Sequence, residues 1–221
     1  MVAVITGASR GIGLELARQM AARNSRVLGT HRGAVPADLP GVDWHPLDVA
    51  SPESHAALSQ HLDGTAVDLL VCNAGIYLDK FENLAEGYPP AMWAEMFETN
   101  VTGVFLSVQS LLPQLQQSGH GKIVIISSQM ASHTRAPGRS YIYRASKAAV
   151  LNLGRNLATD LEGLGIAVGI YHPGWVQTDM GGPTASLTPA EAASGLMDRF
   201  EALSLKTTGC FETWDGHAHP Y

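Results

Sequence analysis

The chain has 221 residues, of which 45% are hydrophobic and 15% are charged, a balance that excludes a disordered or fibrous protein. A formal net charge of −6 argues against nucleic acid as the main partner. No apolar run reaches the length of about 18 residues that a transmembrane helix needs, and a first strand at Val2 leaves no room for a signal peptide, so we expect a cytoplasmic protein without membrane contact.

A strand, a glycine turn and a helix open the chain. The apolar run Val2-Ala3-Val4-Ile5 leads directly into a glycine-rich turn, after which apolar residues recur at helical spacing. Such a turn lets the backbone approach a pyrophosphate, while the helix N-terminus offers unpaired N–H groups and a partial positive charge. We therefore predict dinucleotide binding there, although a purely structural turn is the alternative. The predicted binding residues are Gly7, Ser9, Arg10, Gly11, Ile12 and Gly13.

The end of the second predicted strand, Arg26 to Thr30, is where a dinucleotide-binding fold meets the adenosine ribose. His31 and Arg32 stand there, and no acidic residue follows until Asp38. An NAD site usually needs an acidic residue at this point, whereas Arg32 together with Arg10 suits a 2′-phosphate. The pattern predicts that NADP(H) is preferred and that NAD(H) remains possible. The alternative is that both arginines are solvated at the surface.

Two more strands add cofactor residues. A third strand is predicted over 44–49. It places Asp48 to accept from an adenine amino group, with Val49 beside it. The alternative is that Asp48 only precedes the helix that starts at Ser51. A fourth strand, 67–71, is followed by Cys72 and by the residues Asn73, Ala74 and Gly75. Small residues there would let the backbone of this segment pack against a cofactor.

A long segment from Pro89 to about Gln117 has a helical pattern. Its apolar stripe consists of Met92, Met96, Phe97, Val101, Val104, Phe105 and Val108. Pro113 is expected to kink or end this helix. Asn100 lies in the middle, where asparagine has poor helix propensity, so it has either a polar role or is a tolerated surface amide.

The strand 122–128 ends in two hydroxyl groups, and the next helix carries Tyr143 and Lys147 four residues apart, on one face. A phenol titrates near about 10 in water, and a neighbouring ammonium group stabilises the phenolate, so the pair can transfer a proton near neutral pH. We predict Tyr143 as the acid and Lys147 as the group that lowers its pKa. Taken alone, this spacing also fits a surface aromatic residue beside a solvated charge.

The remaining segments repeat the alternation of strand and helix. A strand over 166–171 is broken by Pro173 and Gly174 and followed by a glycine-rich loop, 177–183; a capped helix starts at Thr188, and a last strand covers 210–214. The alternation predicts an α/β fold, a Rossmann-type doubly wound parallel sheet with helices on both faces and ligands at the carboxyl ends of its strands. No linker divides the chain, so we expect one domain over 1–221.

In combination these motifs resemble the short-chain dehydrogenase/reductase family over nearly the whole chain. Thr6-Gly7-x-x-x-Gly11-Ile12-Gly13 matches the family's cofactor turn, and Asn73-Ala74-Gly75 matches its sheet-stabilising motif, with Cys72 in place of the usual preceding Asn. The catalytic tetrad of the family occurs in the right order as Asn100, Ser128, Tyr143 and Lys147. Tyr141 competes with Tyr143 for the role of the acid on its spacing from Ser128, but only Tyr143 has a lysine four residues on.

The resemblance implies a mechanism. A carbonyl oxygen would bond to Ser128 and Tyr143, and Tyr143 would protonate it after hydride transfer from the cofactor. Lys147 would hold the nicotinamide ribose and favour the phenolate, and Asn100 would anchor a water that resupplies the proton. The family's nicotinamide-side loop is matched by Pro173-Gly174 and Thr178, where Thr178 would bond the carboxamide with help from the backbone of Val176.

Within the family, the stretches 127–130, 141–147 and 172–182 resemble sniffer-type carbonyl reductases and C-factor signalling proteins. This implies an NADPH-dependent enzyme that reduces a ketone, aldehyde or quinone and forms a homodimer. One alternative is a C-factor-like signalling protein that binds NAD(P) with little or no catalytic role. Another is an interaction module that uses the helices around Phe97 and Leu151. No metal site is expected, because Cys72 and Cys210 lack a ligand pattern.

Overall fold

In the part of the chain that the structure describes, seven strands form one parallel sheet in the order β3-β2-β1-β4-β5-β6-β7. The structure is a computed structural model that describes residues 1–35, 39–134 and 136–221, so Asp38 lies outside the described residues. The strands are β1 (Val2–Ile5), β2 (Arg26–His31), β3 (Val42–Pro46), β4 (Leu69–Cys72), β5 (Lys122–Ile126), β6 (Ala167–His172) and β7 (Phe211–Thr213). The predicted α/β fold with a doubly wound parallel sheet is confirmed.

Helices cover both faces of the sheet. They are α1 (Gly11–Ala22), α2 (Pro52–His61), α3 (Pro90–Phe97), α4 (Gly103–Ser118), α5 (Tyr141–Glu162) and α6 (Pro189–Ala202). One apolar core joins the sheet to α2, α4 and α5 through side chains such as Leu58, Leu111 and Leu151. A second core joins the opposite face to α1 and α6 through Leu16 and Phe200. Within the three described ranges, no helix is long and apolar enough to cross a bilayer.

The segment after β4 departs from the single helix that its pattern predicts. A π-helical turn, Glu98–Thr102, separates α3 from α4. Such a turn inserts one extra residue and re-aims the side chains around it. Pro113 does not end the helix, because α4 continues to Ser118 and Gly119 terminates it in a left-handed conformation. Buried Leu111 and Leu115, on either side of the proline, hold this part of α4 against the core. Phe105, placed in the apolar stripe by the pattern, is largely exposed.

Strand β3 runs from Val42 to Pro46, earlier than the predicted 44–49. The N–H of Leu47 still donates to the His31 carbonyl of β2 at 2.9 Å, and the pairing of the two strands ends with this bond. Asp48 and Val49 therefore follow the strand as a loop that leads into α2. The predicted capped start of α6 is confirmed, since Thr188 and Glu191 form a reciprocal capping box.

Because all strands run parallel, their carboxyl ends meet at one edge of the sheet. The segments that leave this edge carry the predicted site residues. They begin with the glycine turn after β1, His31 at the end of β2, Asp48 after β3, Asn73 after β4, Ser128 after β5 and Pro173 after β6. The fold thus brings together residues that are far apart in sequence.

His172, the last residue of β6, is 8% exposed, and its Nδ1 has no hydrogen-bond partner among the residues described. Burial, followed by the nearby charge of His219, lowers the pKa of His172 from 6.5 to about 4. Between these two pH values the unfolded chain binds a proton that the folded chain excludes. The contribution of His172 to stability is therefore lost as the pH falls through this window.

Replacing His172 with Phe keeps a ring in the site and removes the titrating group. From about pH 7 to about pH 4.5, the unfolding free energy of the unmodified protein should fall by about 2 kcal/mol more than that of the variant. Urea unfolding at both pH values measures this difference. The exposed His133 provides a control, since H133F should keep full acid sensitivity. Equal acid sensitivity of H172F and the unmodified protein would contradict a neutral, buried His172.

Candidate active site

The turn after β1 is held by the segment after β4. The side-chain nitrogen of Asn73 donates to the carbonyl oxygens of Thr6 and Gly7, each at 3.0 Å. The Thr6 hydroxyl accepts from the N–H groups of Asn73 and Ala74 at 3.0 and 3.1 Å. A Cβ on Gly13 would lie 2.5 Å from the Asn73 amide, and a Cβ on Gly7 would lie 2.9 Å from Ala74. The turn can close in this way only with glycine at both positions.

Helix α1 begins at this turn without a side-chain cap. Arg10, at the N-cap position, makes no capping hydrogen bond, and the first turn contains no acidic residue. Ser9 is half-buried, and Ile12 packs against the core beneath. The first N–H groups of the helix and its partial positive charge are thus available to an anion. The glycine cradle and the uncapped helix start fit the pyrophosphate of a dinucleotide.

A cavity of about 590 Å³ lies beyond the ends of β2 and β3. It is lined by His31, Arg32, Gly33, Pro46, Leu47, Asp48 and Ser54. His31 Nδ1 lies 2.6 Å from the Gly33 oxygen, and the Asp48 carboxylate accepts from the N–H of Ala50 at 3.0 Å, so both side chains are held at the cavity. The Ser54 hydroxyl accepts from the Asp48 N–H at 3.3 Å. No sequence pattern marked Ser54.

Two of the predicted cofactor-binding residues are not among the residues that line this cavity. The side chain of Val49 is buried, and its backbone packs against Gly103 at the start of α4. Arg10 does not line the cavity; its guanidinium pairs instead with Asp179 at 2.6 Å. The two side chains of this pair are 69% and 80% exposed, so water and salt screen it and another anion can displace it.

The loop after β6 faces the glycine turn. Pro173 and Val176 are buried, and Gly174 adopts a φ of +87° against Leu187. The Thr178 methyl group lies 3.3 Å from the position of a Cβ on Gly11, so the loop and the turn nearly touch. Predicted residues from the first and the last third of the chain therefore lie next to each other at this edge of the sheet.

Asn100 lies in the π-helical turn and is fully buried. Its Oδ1 accepts from the N–H of Ile76 at 2.8 Å, and its Nδ2 donates to the Ile76 carbonyl at 2.9 Å. The same nitrogen donates to the Ser146 hydroxyl on α5 at 3.0 Å. A Cβ on Gly75 would lie 3.2 Å from Asn100 Oδ1 and 3.5 Å from Lys147 Nζ. Asn100 thus has a polar role, and the surface-amide alternative is wrong.

The phenol of Tyr143 lies among side chains from three other segments. It is hydrogen-bonded to Ser128, its ring stacks on that of Tyr77 at 4.1 Å, and its hydroxyl donates to Met180 Sδ at 3.8 Å. Burial raises the pKa of Tyr143 well above its usual value of 10, and the Ser128 hydrogen bond only partly opposes this. The predicted lowering of the Tyr143 pKa is therefore absent from this structure, because the phenol is desolvated.

Lys147, one helical turn further on, is also buried. Its Nζ donates to the Ile126 carbonyl at 3.0 Å and lies 5.7 Å from the centroid of the Tyr143 ring. Burial lowers the pKa of Lys147 from 10.5 to about 8. A buried lysine whose proton is held less tightly than usual, beside a buried phenol, is typical of a functional site rather than of a solvated surface.

Tyr141 points elsewhere. It is 39% exposed, and its ring meets that of Tyr88 at 5.1 Å. Tyr143 therefore has the position expected of the acid, and Tyr141 does not. Within the described part of the chain, no group of three or more His, Cys, Asp or Glu side chains is arranged to hold a metal ion.

Sequence reasoning missed the segment Ile76 to Asp79. Tyr77 stacks on Tyr143, and the Asp79 carboxylate accepts from the N–H groups of Ile142 and Tyr143 at 2.8 and 3.3 Å. These partners are more than sixty positions apart in the chain and no local pattern links them. Only the fold reveals the contact.

A sequence model described as short chain dehydrogenase matches residues 1–187. The chain belongs to the short-chain dehydrogenase/reductase family. It is 33% identical over 187 residues to the 3-oxoacyl-[acyl-carrier-protein] reductase FabG of Escherichia coli, which covers 81% of the chain and 75% of that protein. It is also 33% identical over 159 residues to the C-signal of Myxococcus xanthus, which covers 70% of the chain and 93% of that protein.

Among solved structures, the NADPH-bound carbonyl reductase from chicken fatty liver matches with a TM-score of 0.90 and 29% identity. The match covers 100% of this chain and 98% of the reductase. The resemblance to this dehydrogenase/reductase family, stated above from the motifs, is thereby confirmed. The chain is an oxidoreductase of this family.

Proposed function

We propose that the protein uses NADPH to reduce the carbonyl group of a ketone, aldehyde or quinone to an alcohol, with Tyr143 as the general acid. The observation that carries the proposal is the position of the buried Tyr143 hydroxyl. It is hydrogen-bonded to Ser128 and has Lys147 one helical turn away. It lies at the edge of the sheet that also carries the glycine turn. No binding role alone needs this combination of groups.

When bound, the cofactor would supply the hydride. Ser128 and Tyr143 would donate hydrogen bonds to the substrate oxygen, which strengthen as negative charge develops there. Tyr143 would then give its proton to this oxygen, and a raised pKa suits a group that must stay protonated until that moment. Lys147 would bind the nicotinamide ribose, Thr178 the carboxamide with the backbone of Val176, and Asn100 would hold the proton-supplying water.

Exposed apolar side chains support a permissive site. Met180, which contacts the Tyr143 hydroxyl, is 39% exposed, and Trp175 in the loop after β6 and Tyr141 at the start of α5 are 50% and 39% exposed. Aromatic and flexible apolar side chains bind varied apolar substrates without strict shape selection. Met180, whose sulfur accepts from the Tyr143 hydroxyl, would contact the substrate directly.

NADP(H) preference is part of the proposal. Support comes from Arg32 and His31 at the adenosine-side cavity and from Arg10 nearby in the glycine turn. The chicken fatty liver reductase with bound NADPH supports the same choice. We propose NAD(H) as a weaker alternative.

Three alternatives differ in their support. The C-signal relative supports a signalling protein that binds NAD(P) with little or no catalytic role, and the FabG relative supports a 3-oxoacyl thioester as substrate. An interaction module based on Leu151 has less support, because this side chain is 4% exposed and belongs to the core. We propose that the protein is cytoplasmic and forms a homodimer. The exposed Trp93 and Phe105 on α3 and α4 support the homodimer.

Replacing Tyr143 with Phe should remove the transferable proton and lower kcat by about 10²–10⁴-fold. Tyr141→Phe is the matched control and should change kcat little, because Tyr141 faces Tyr88. The measurement is NADPH absorbance with ketones, aldehydes, quinones and a 3-oxoacyl thioester. Comparable losses in both variants would refute the role of Tyr143, and a complete lack of turnover in the unmodified protein would favour the signalling alternative.

NADPH should bind about a hundredfold more tightly than NADH, because two arginines each add a charge-assisted bond to the 2′-phosphate. Arg32→Asp should reverse the preference. Asp179→Asn frees Arg10 from its ion pair and should tighten NADPH binding by about twofold to fivefold, with NADH unchanged. Fluorescence titration of each reduced cofactor measures these affinities. Equal affinities in the unmodified protein would contradict the predicted preference.

A further inference from the structure

Helix α5, which carries Tyr143 and Lys147, begins without a cap from its own neighbours. Ser140 stands at the N-cap position, but its backbone is left-handed, with a φ of 50°, and its side chain makes no capping hydrogen bond. The Ser140 hydroxyl instead lies 2.5 Å from the hydroxyl of Tyr77. The first N–H groups of a helix need a partner, and here that partner comes from a distant part of the chain.

The partner is Asp79, in the segment after β4. One carboxylate oxygen accepts from the N–H groups of Ile142 and Tyr143. The side chain is fully buried, and its other oxygen has no hydrogen-bond partner among the residues in the described ranges. A serine, threonine or asparagine would cap the helix without burying an incompletely paired charge. Capping alone therefore does not explain why the residue is an aspartate.

Neighbours of Asp79 tie this segment to the acid. The Tyr77 ring stacks on the Tyr143 ring with an interplanar angle of 24°, and Asn100 holds both backbone groups of Ile76. The segment 76–79 is thus hydrogen-bonded to Asn100 at one end and to the first turn of α5 at the other. Stacking and capping together restrict where the Tyr143 ring can lie.

The charge of Asp79 also acts on Tyr143. The titratable groups that face Tyr143 are Lys147 on α5 and Tyr77 and Asp79 on the segment after β4; the loop after β6 presents the uncharged Met180. Asp79 also faces Tyr88. Ionising Tyr143 would place a second negative charge near the buried carboxylate. Burial raises the pKa of Tyr143 most, and the Tyr77 phenol and then Asp79 raise it further.

We propose that Asp79 is a positioning residue for the reduction, whose carboxylate both fixes the first turn of α5 and keeps Tyr143 in its proton-donating form. This inference rests on the proposed function of Tyr143 as the acid. Tyr77 assists by holding the ring. Neither residue touches the reacting atoms, so their effects should reach the reaction through the position and protonation of Tyr143.

Asp79→Asn tests the charge, because asparagine keeps an oxygen for the helix N–H groups and loses the negative charge. With the charge gone, Tyr143 should lose its proton at lower pH. The alkaline limb of kcat/KM for carbonyl reduction should move down by about half a pH unit or more at saturating NADPH. NADPH affinity should stay within about twofold. Asp160→Asn is the control, since Asp160 lies exposed near the other end of the same helix and should leave the profile unchanged.

An alkaline limb in Asp79→Asn that coincides with that of Asp160→Asn would overturn the electrostatic part of the proposal. Tyr77→Phe keeps the stack and loses the bond to Ser140. It should lower kcat and, because the Tyr77 phenol also raises the pKa of Tyr143, move the alkaline limb in the same direction as Asp79→Asn. An unchanged kcat in Tyr77→Phe would overturn the part of Tyr77 in the proposal.

Hydrogen exchange tests the positioning role without any turnover. Asp79→Ala should speed amide exchange in the first turn of α5, at Ile142 and Tyr143, by about fivefold or more relative to the unmodified protein and to Asp160→Asn. If the unmodified protein reduces no carbonyl, the proposed function fails while this comparison still decides whether Asp79 holds the helix. Unchanged exchange in the alanine variant would overturn the positioning role.

Discussion

The arrangement of the active site depends on the side-chain amide of Asn100. The π-helical turn between α3 and α4 directs this amide inward, where it bonds both backbone groups of Ile76 and the hydroxyl of Ser146. The hydrogen bonds to Ile76 hold the segment that carries Tyr77, and the hydrogen bond to Ser146 holds the helix that carries Tyr143. No apolar side chain could replace these bonds without leaving buried backbone groups unpaired, which is more costly than an ordinary lost hydrogen bond.

Burial, rather than the proximity of two opposite charges, sets the direction of the pKa shifts of Tyr143 and Lys147. The same desolvation raises the pKa of Tyr143 and lowers that of Lys147, so both groups tend towards their neutral forms. A neutral phenol can donate its proton but cannot accept one. This arrangement suits the reductive direction, in which the proton is needed on the substrate oxygen. The Tyr143 side chain is 7% exposed, so little of this phenol meets bulk water.

Much of this organisation could be predicted from the sequence, because it depends on local patterns. The glycine turn directly after β1, the alternation of strands and helices, and the four-residue spacing of Tyr143 and Lys147 are short-range features, and the fold drawn from them is confirmed. The expected end of the helix at Pro113 was wrong, because packing of Leu111 and Leu115 outweighs the lost hydrogen bond.

Other features depend on contacts between distant segments, which no periodicity encodes. The pairing of Arg10 with Asp179, the capping of α5 by Asp79 and the bonds of Asn100 each join residues brought together only by the parallel sheet edge. The direction of the Tyr143 pKa shift was also beyond sequence reasoning, because it depends on how deeply the phenol is buried.

Direct transfer of hydride from NADPH to a carbonyl carbon is the central claim, and isotope transfer tests it most directly. NADPH deuterated on one or the other face of the nicotinamide C4 would be incubated with the protein and a reducible carbonyl, and the alcohol examined by mass spectrometry. Because the cofactor would lie between the glycine turn and the loop after β6, which approach each other closely, only one face should supply the hydride. We predict deuterium on the former carbonyl carbon from one labelled form alone. An alcohol without deuterium from either form, or with deuterium from both, would contradict the account.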